Sequence, residues 1–216
     1  PDTAHWAAEQ IARTQDEAFV TEALLLRSEV AIRRGGLTVA VDQARQALVA
    51  DPQSGRAHEQ LGRALLLQGK WDAAVGQMIE ALHTGHAGSL AAGVAALGAL
   101  DDGDLAAARG LFLAERYGDG LACAVSHAAQ ARLLQAEGEV ASALDRATSA
   151  IEELRELPAW AASPEVVARL ATALRGVLTE AGGAEEESVR ADAERGLGAL
   201  EEMKHTTLLR RGSARA

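Results

Sequence analysis

Between Leu61 and Leu82 apolar residues recur at helical spacing, with one interruption. Leu61, Ala64 and Leu65 fall at i, i+3 and i+4, and Ala74, Val75, Met78 and Leu82 do the same further on. Gly69 stands between the two runs. Glycine ends a helix well because it takes the left-handed conformation without a Cβ clash. The pattern therefore predicts a helix, a tight turn at Gly69, and a second helix. Gly62 and Ala74 are small where a buried face usually carries bulk, which predicts close approach of the two helices there.

The same pattern returns along the chain. Gly35, Gly69 and Gly103 are spaced by 34 residues, and Gly138 follows after 35. An alanine stands five residues after each: Ala40, Ala74, Ala108 and Ala143. Ala47, Ala81 and Ala150 follow seven residues later, with Glu115 as the exception. The breaker-rich pieces Asp51-Pro52 and His83-Thr84-Gly85-His86-Ala87-Gly88 separate the units, and Ser54 is placed to cap a helix.

These residues carry a resemblance. The central copy reads His58-x2-Leu61-Gly62-x2-Leu65, Gly69, Ala74-x3-Met78-x2-Ala81. It resembles a tetratricopeptide repeat, whose pattern is aromatic-x2-Leu-Gly-x2-aromatic, then Ala-x3-aromatic-x2-Ala, then Pro. The preceding copy keeps Gly35, Ala40, Ala47 and Pro52 but has Arg27-Ser28 in place of Leu-Gly. The third keeps Gly103, Ala108 and Phe112, and the fourth Gly138, Ala143 and Ala150. The resemblance implies an all-α fold, a right-handed α-solenoid of antiparallel helix hairpins. Repeats are expected at 21–54, 55–88, 89–123 and 124–157.

The ends depart from the motif and read as capping helices. Asp2 is placed to cap a helix to about Arg13 within residues 1–20. Residues 158–206 read as a helix pair. Ser163-Pro164-Glu165 is a helix start, with the first helix running to about Glu180. The second, from Ala184 to about His205, has Val189, Ala193, Leu197 and Leu200 on one face. Glu185, Glu186 and Glu187 complement its dipole. Residues 207–216 form a basic tail with Arg210, Arg211 and Arg215, read as a solvated end.

Composition narrows the function. Hydrophobic residues make up 48% of the 216 but aromatics only 3%, which favours helix over strand. A formal charge of −10 argues against nucleic acid and anionic membrane surfaces. No apolar run approaches a membrane span. One cysteine excludes an internal disulfide. The excess of Ala, Gly and Arg reads as a GC-rich, bacterial coding bias. The expected compartment is the cytoplasm, or the periplasm or a membrane anchor if a segment was removed before Pro1.

Candidate chemistry is sparse. His83 and His86 form an H-x-x-H, but glycines flank them and no third ligand stands nearby, so no metal is expected. Cys123 and His127 are four apart on a predicted helix, without a local orienting group or oxyanion hole. No phosphate-binding loop is present. The expectation is a chain with no catalytic residues and no cofactor.

In tetratricopeptide arrays the first helices of the units line a concave groove. The resemblance places Glu22, Leu25 and Glu29 there, then Arg56, Glu59, Arg63 and Leu66, then Leu90, Val94 and Leu97, then Ala128 and Arg132. The Lys, Asn and Arg set that clamps chaperone tails is absent, since Leu25, Glu29, Gln60, Leu90 and Val94 stand at the matching places. Leu90, Val94 and Leu97 form an apolar patch suited to an apolar or amphipathic peptide or helix of a protein partner. The expected role is a non-enzymatic scaffold or adaptor in assembly of a bacterial multiprotein complex. The alternative is the regulatory or sensory domain of a larger kinase or transcription regulator. Whether the chain forms a homo-oligomer is left open.

Overall fold

A computed structural model describes residues 17–112, 119–158, 161, 163–180, 187, 190–191 and 193–199. The described residues contain no strand. Their helices are α1 (Glu17–Arg33), α2 (Leu37–Ala50), α3 (Gly55–Leu67), α4 (Trp71–His83), α5 (Ser89–Asp101), α6 (Leu105–Leu111), α7 (Gly120–Ala136), α8 (Val140–Glu156) and α9 (Pro164–Glu180). Residues 193–199 are also helical. The fold is all-α, as the pattern predicts. The N-terminal capping helix to Arg13, the Glu185–Glu186 acids, Val189, Leu200 and the basic tail lie outside the described residues.

The repeat glycines do what their spacing predicts. Gly35, Gly69, Gly103 and Gly138 have φ of 76°, 77°, 78° and 83°. Each closes its helix with the same two hydrogen bonds. At Gly69 its own N–H donates to the Leu66 carbonyl at 2.9 Å, and the Lys70 N–H to the Leu65 carbonyl at 3.0 Å. That pair satisfies the orphan carbonyls of the last turn and reverses the chain in two residues. Gly85 repeats the geometry after α4, with φ of 81°.

Helix starts are also locally encoded. Ser54 accepts from the Ala57 N–H at 3.3 Å, as expected. Asp104 and Asp119 accept from the Ala107 and Ala122 N–H groups. Ser163 accepts from the Val166 N–H, one residue before α9 begins at Pro164.

The chain divides into two compact units, one to Ala92 and one from Gly93. In the first, α2 packs on α1 and α3, and α4 packs on α3. The small residues set this packing. Ala40, Ala47, Ala74 and Ala81 are fully buried. A Cβ on Gly62 would stand 2.9 Å from Met78 Cε and 3.3 Å from the Ala74 carbonyl oxygen. The departure at Arg27-Ser28 is resolved by the same contact. Ser28 lies one repeat before Gly62, is fully buried, and its hydroxyl donates to the Ala40 carbonyl at 2.9 Å. Ala40 in turn lies one repeat before Ala74. A serine is small enough for the close approach, and its polar atom is satisfied there.

In the second unit α7 packs on α6, α8 and α9, and α8 on α9. Ala108, Ala143, Ala147 and Ala150 fill the small positions. Leu170, Leu174 and Leu178 are fully buried along α9, and Ala193 and Leu197 bury the face expected of the last helix. α6 has only seven residues, against 13 or more in α2, α4 and α8. Phe112 just beyond it packs on Leu100, Ala108 and Leu133.

Candidate partner-binding face

The expected groove residues separate into two groups. Leu25, Leu66, Leu90, Val94, Leu97 and Ala128 are all buried, at 6% exposure or less. Leu25 packs with Leu24, Ala47 and Ala57, so it lies between α1, α2 and α3. Every residue of α5 from Ser89 to Leu97 is buried. A helix apolar all round buries all round, and SLAAGVAAL has no polar face to expose. These six side chains contribute packing in this conformation.

Glu22, Glu29, Arg56, Glu59, Arg63 and Arg132 retain partial or full exposure. On α3, Arg56, Glu59, Gln60 and Arg63 fall at i, i+3, i+4 and i+7, which is one helical face. Hydrogen bonds tie that face to α1 at about one repeat's separation. Arg56 donates to Glu22 at 2.7 Å, 34 residues away. Gln60 donates to Ser28 at 3.3 Å and Glu29 at 3.4 Å. Glu29 also accepts from Arg33 at 3.0 Å. Arg56 and Glu22 are both well exposed, so their pair adds little stability. Within this unit the consequence is a polar strip across α1 and α3.

Glu59 is directed differently. Its Oε1 accepts the Ala91 N–H at 3.2 Å, in the first turn of α5. Its Oε2 lies 2.7 Å from Nε2 of His86. A carboxylate at a helix N-terminus satisfies an orphan donor and meets the positive end of the dipole. Glu59 therefore anchors the α4–α5 connection. The H-x-x-H pair is split by the turn at Gly85, with His83 exposed at the end of α4 and His86 committed to Glu59. Among the described residues no group of three His, Cys, Asp or Glu could hold a metal.

In the second unit Arg132 donates to Oδ1 of Asp101 at 2.6 Å. Arg169 of α9 pairs with Oδ2 of the same carboxylate. Neither Asp101 nor Arg169 was among the expected groove residues. The available signal was the period, since Asp101 stands 31 residues before Arg132 and 68 before Arg169, close to one and two repeats.

Cys123 and His127 both lie on α7, and each is half-buried. Nδ1 of His127 is buried, and no hydrogen-bond partner for it stands among the described residues. Burial holds the imidazole below its ordinary value of 6.5, with Arg146 acting the same way and Glu153 and Asp145 opposing. An unfolded chain then binds the proton more tightly, so stability rises with pH. This contribution is complete above about 6.5 and is lost as pH falls through the folded value. Urea midpoints between pH 8 and pH 5 should fall less steeply in His127→Gln than in the parent.

No family model matches the chain, and no curated protein matches it. Among solved structures it is similar to one described as the crystal structure of the APC/C hetero-tetramer Cut9–Hcn1. The TM-score is 0.57 at 13% identity, over 93% of this chain and 37% of that one. The fold is tetratricopeptide-like. This chain spans little more than a third of the solenoid chain it matches, and at this identity the likeness is one of fold. Among the described residues, no helix of this tetratricopeptide-like chain is long and apolar enough to cross a membrane.

Proposed function

We propose that this chain is a non-enzymatic protein-interaction scaffold that engages its partner through the first helices of its repeats. The observation that carries the reading is the polar strip on α1 and α3. Glu22, Glu29, Arg56 and Gln60 are linked across neighbouring repeats and remain open to solvent. Solenoids present such repeated faces as extended binding surfaces. The similar solved structure is itself described as a hetero-tetramer, which supports an assembly role. The apolar residues first assigned to the groove are buried, so the recognition chemistry moves toward polar and charged groups. A peptide or helical segment of another protein, in a bacterial complex, is the occupant this reading favours.

The test uses partner capture by the full chain. Arg56→Glu with Glu29→Gln should reduce capture while helicity and melting midpoint stay near the parent's. Arg45→Glu with Glu80→Lys, exposed on the second helices α2 and α4, should leave capture unchanged. The reverse result would place the interaction on the other face and remove this assignment.

A further inference from the structure

We propose that the open face of α1 and α3 takes a second copy of this chain, related by a two-fold axis that lies between the two helices. The inference rests on the scaffold reading for the choice of face and adds its regulation, since a copy seated there excludes the partner. On α1, Phe19, Glu22, Leu26 and Glu29 fall at i, i+3, i+7 and i+10, so they share one side of the helix. Arg33 follows one turn later and pairs with Glu29 at 3.0 Å. On α3 the corresponding side carries Arg56, Gln60 and Arg63.

Charge is divided unevenly between the two helices. The α1 side has two carboxylates, Glu22 and Glu29, to one guanidinium, Arg33. The α3 side has two guanidiniums, Arg56 and Arg63, and its one carboxylate, Glu59, is turned to the Ala91 N–H and His86. A two-fold interface is isologous, so what α1 presents must suit what α3 of the copy presents. Here it does, because the acid-rich α1 of each chain lies over the base-rich α3 of the other. The Arg56–Glu22 pair, with side chains 62% and 37% exposed, contributes little in the single chain. Set against its symmetry mate in reversed order, each Arg56 meets both Glu22 carboxylates, and exclusion of water strengthens these attractions. Elsewhere two chains of formal charge −10 repel, so a face with this internal balance is favoured as their meeting point. Phe19 supplies an apolar contact. It is 50% exposed, and aromatic side chains are enriched among the residues that anchor interfaces. All of these groups lie in the first unit.

Sedimentation equilibrium of the full chain, without a partner, reads the self-association. The parent should shift from monomer to dimer mass as its concentration rises. Phe19→Asp should weaken the dimer by about a hundredfold, because a two-fold interface loses the contact twice, at about tenfold each. Arg56→Glu and Glu22→Arg should each be monomeric, since like charges then face each other across the axis. Mixed in equal amounts they should form a dimer again, one chain's acids meeting the other's arginines. That restoration, with melting midpoints near the parent's, separates a lost contact from a variant that fails to fold. Arg45→Glu, exposed on α2, should leave the dimer unchanged. A parent that stays monomeric, a dimer indifferent to Phe19→Asp, or no association on mixing would each overturn the inference. Partner capture lost in the Arg56→Glu, Glu29→Gln variant of a monomeric parent would leave the scaffold reading standing. A dimer that responds as stated, with capture unchanged in that variant, would support the dimer and remove the scaffold assignment.

Discussion

Gly62→Leu will lower the stability of the first unit by about 1–3 kcal/mol, the usual cost of overpacking a filled core. The substituted Cβ is crowded from two sides. It would lie 3.3 Å from the Ala74 carbonyl oxygen, which is backbone and held in α4, and 2.9 Å from Met78 Cε. The Met78 methyl can move, but the Ala74 carbonyl moves only if α3 and α4 separate. Gly62→Ala tests the same contact gently. Its Cβ asks for a few tenths of an ångström, while replacing glycine inside a helix returns roughly 0.8–1 kcal/mol of propensity. Its net change should be small. Gly76 supplies the control, because a Cβ there meets nothing within 4 Å. Gly76→Ala should therefore stabilise by roughly 0.5–1 kcal/mol. Urea unfolding reads all three, with a shifted midpoint and an unchanged slope. A Gly62→Leu protein that unfolds at the parent's midpoint would show that α3 and α4 do not meet at this residue.

The repeat was legible because its signals are backbone signals. A glycine at positive φ and an alanine at a helix crossing are required by local sterics, and so they survive at fixed spacing. Gly35, Gly69, Gly103 and Gly138 and the alanines after them placed the turns between α1 and α2, α3 and α4, α5 and α6, and α7 and α8. Ser28 shows the limit of reading by residue type, since it departs from Leu-Gly in the motif yet serves the same close approach. The proposed binding face was less legible. Assignment by motif position gives the side of a helix but not what neighbouring helices cover. Leu25 meets α2 and α3, and α5 is buried throughout from Ser89 to Leu97. The lack of any polar residue from Leu90 to Leu100 already carried that information, because a half-exposed helix needs a polar stripe. Asp101 and Arg169 were missed for another reason. Their significance lies in convergence on one carboxylate from separate helices, and only the period links them in sequence.

Gly88→Ala is the second large effect, and its mechanism is electrostatic. A Cβ on Gly88 would stand 2.2 Å from Oε1 of Glu59 and 2.6 Å from its Cδ. Those atoms end a flexible side chain, so the carboxylate will swing away and the backbone will stay. Swinging breaks its hydrogen bonds to the Ala91 N–H and to His86, both partly buried. Hydrogen bonds to a charged group contribute about 1.5–3 kcal/mol, so a loss of about 2 kcal/mol is expected. Glu59→Ala should cost about the same, since it removes the same bonds and leaves the first turn of α5 without its acceptor. The two changes should not add. Once Glu59 is alanine there is no carboxylate for the new Cβ to displace, and the double variant should unfold near the Glu59→Ala midpoint. A coupling energy of about 1–2 kcal/mol is then expected from the cycle. Amide exchange gives a local reading, because protection at Ala91 should fall in each single variant. Strictly additive costs would mean that Glu59 does not cap α5. The α4–α5 connection would then be held by the packing of Leu90 and Ala91 alone.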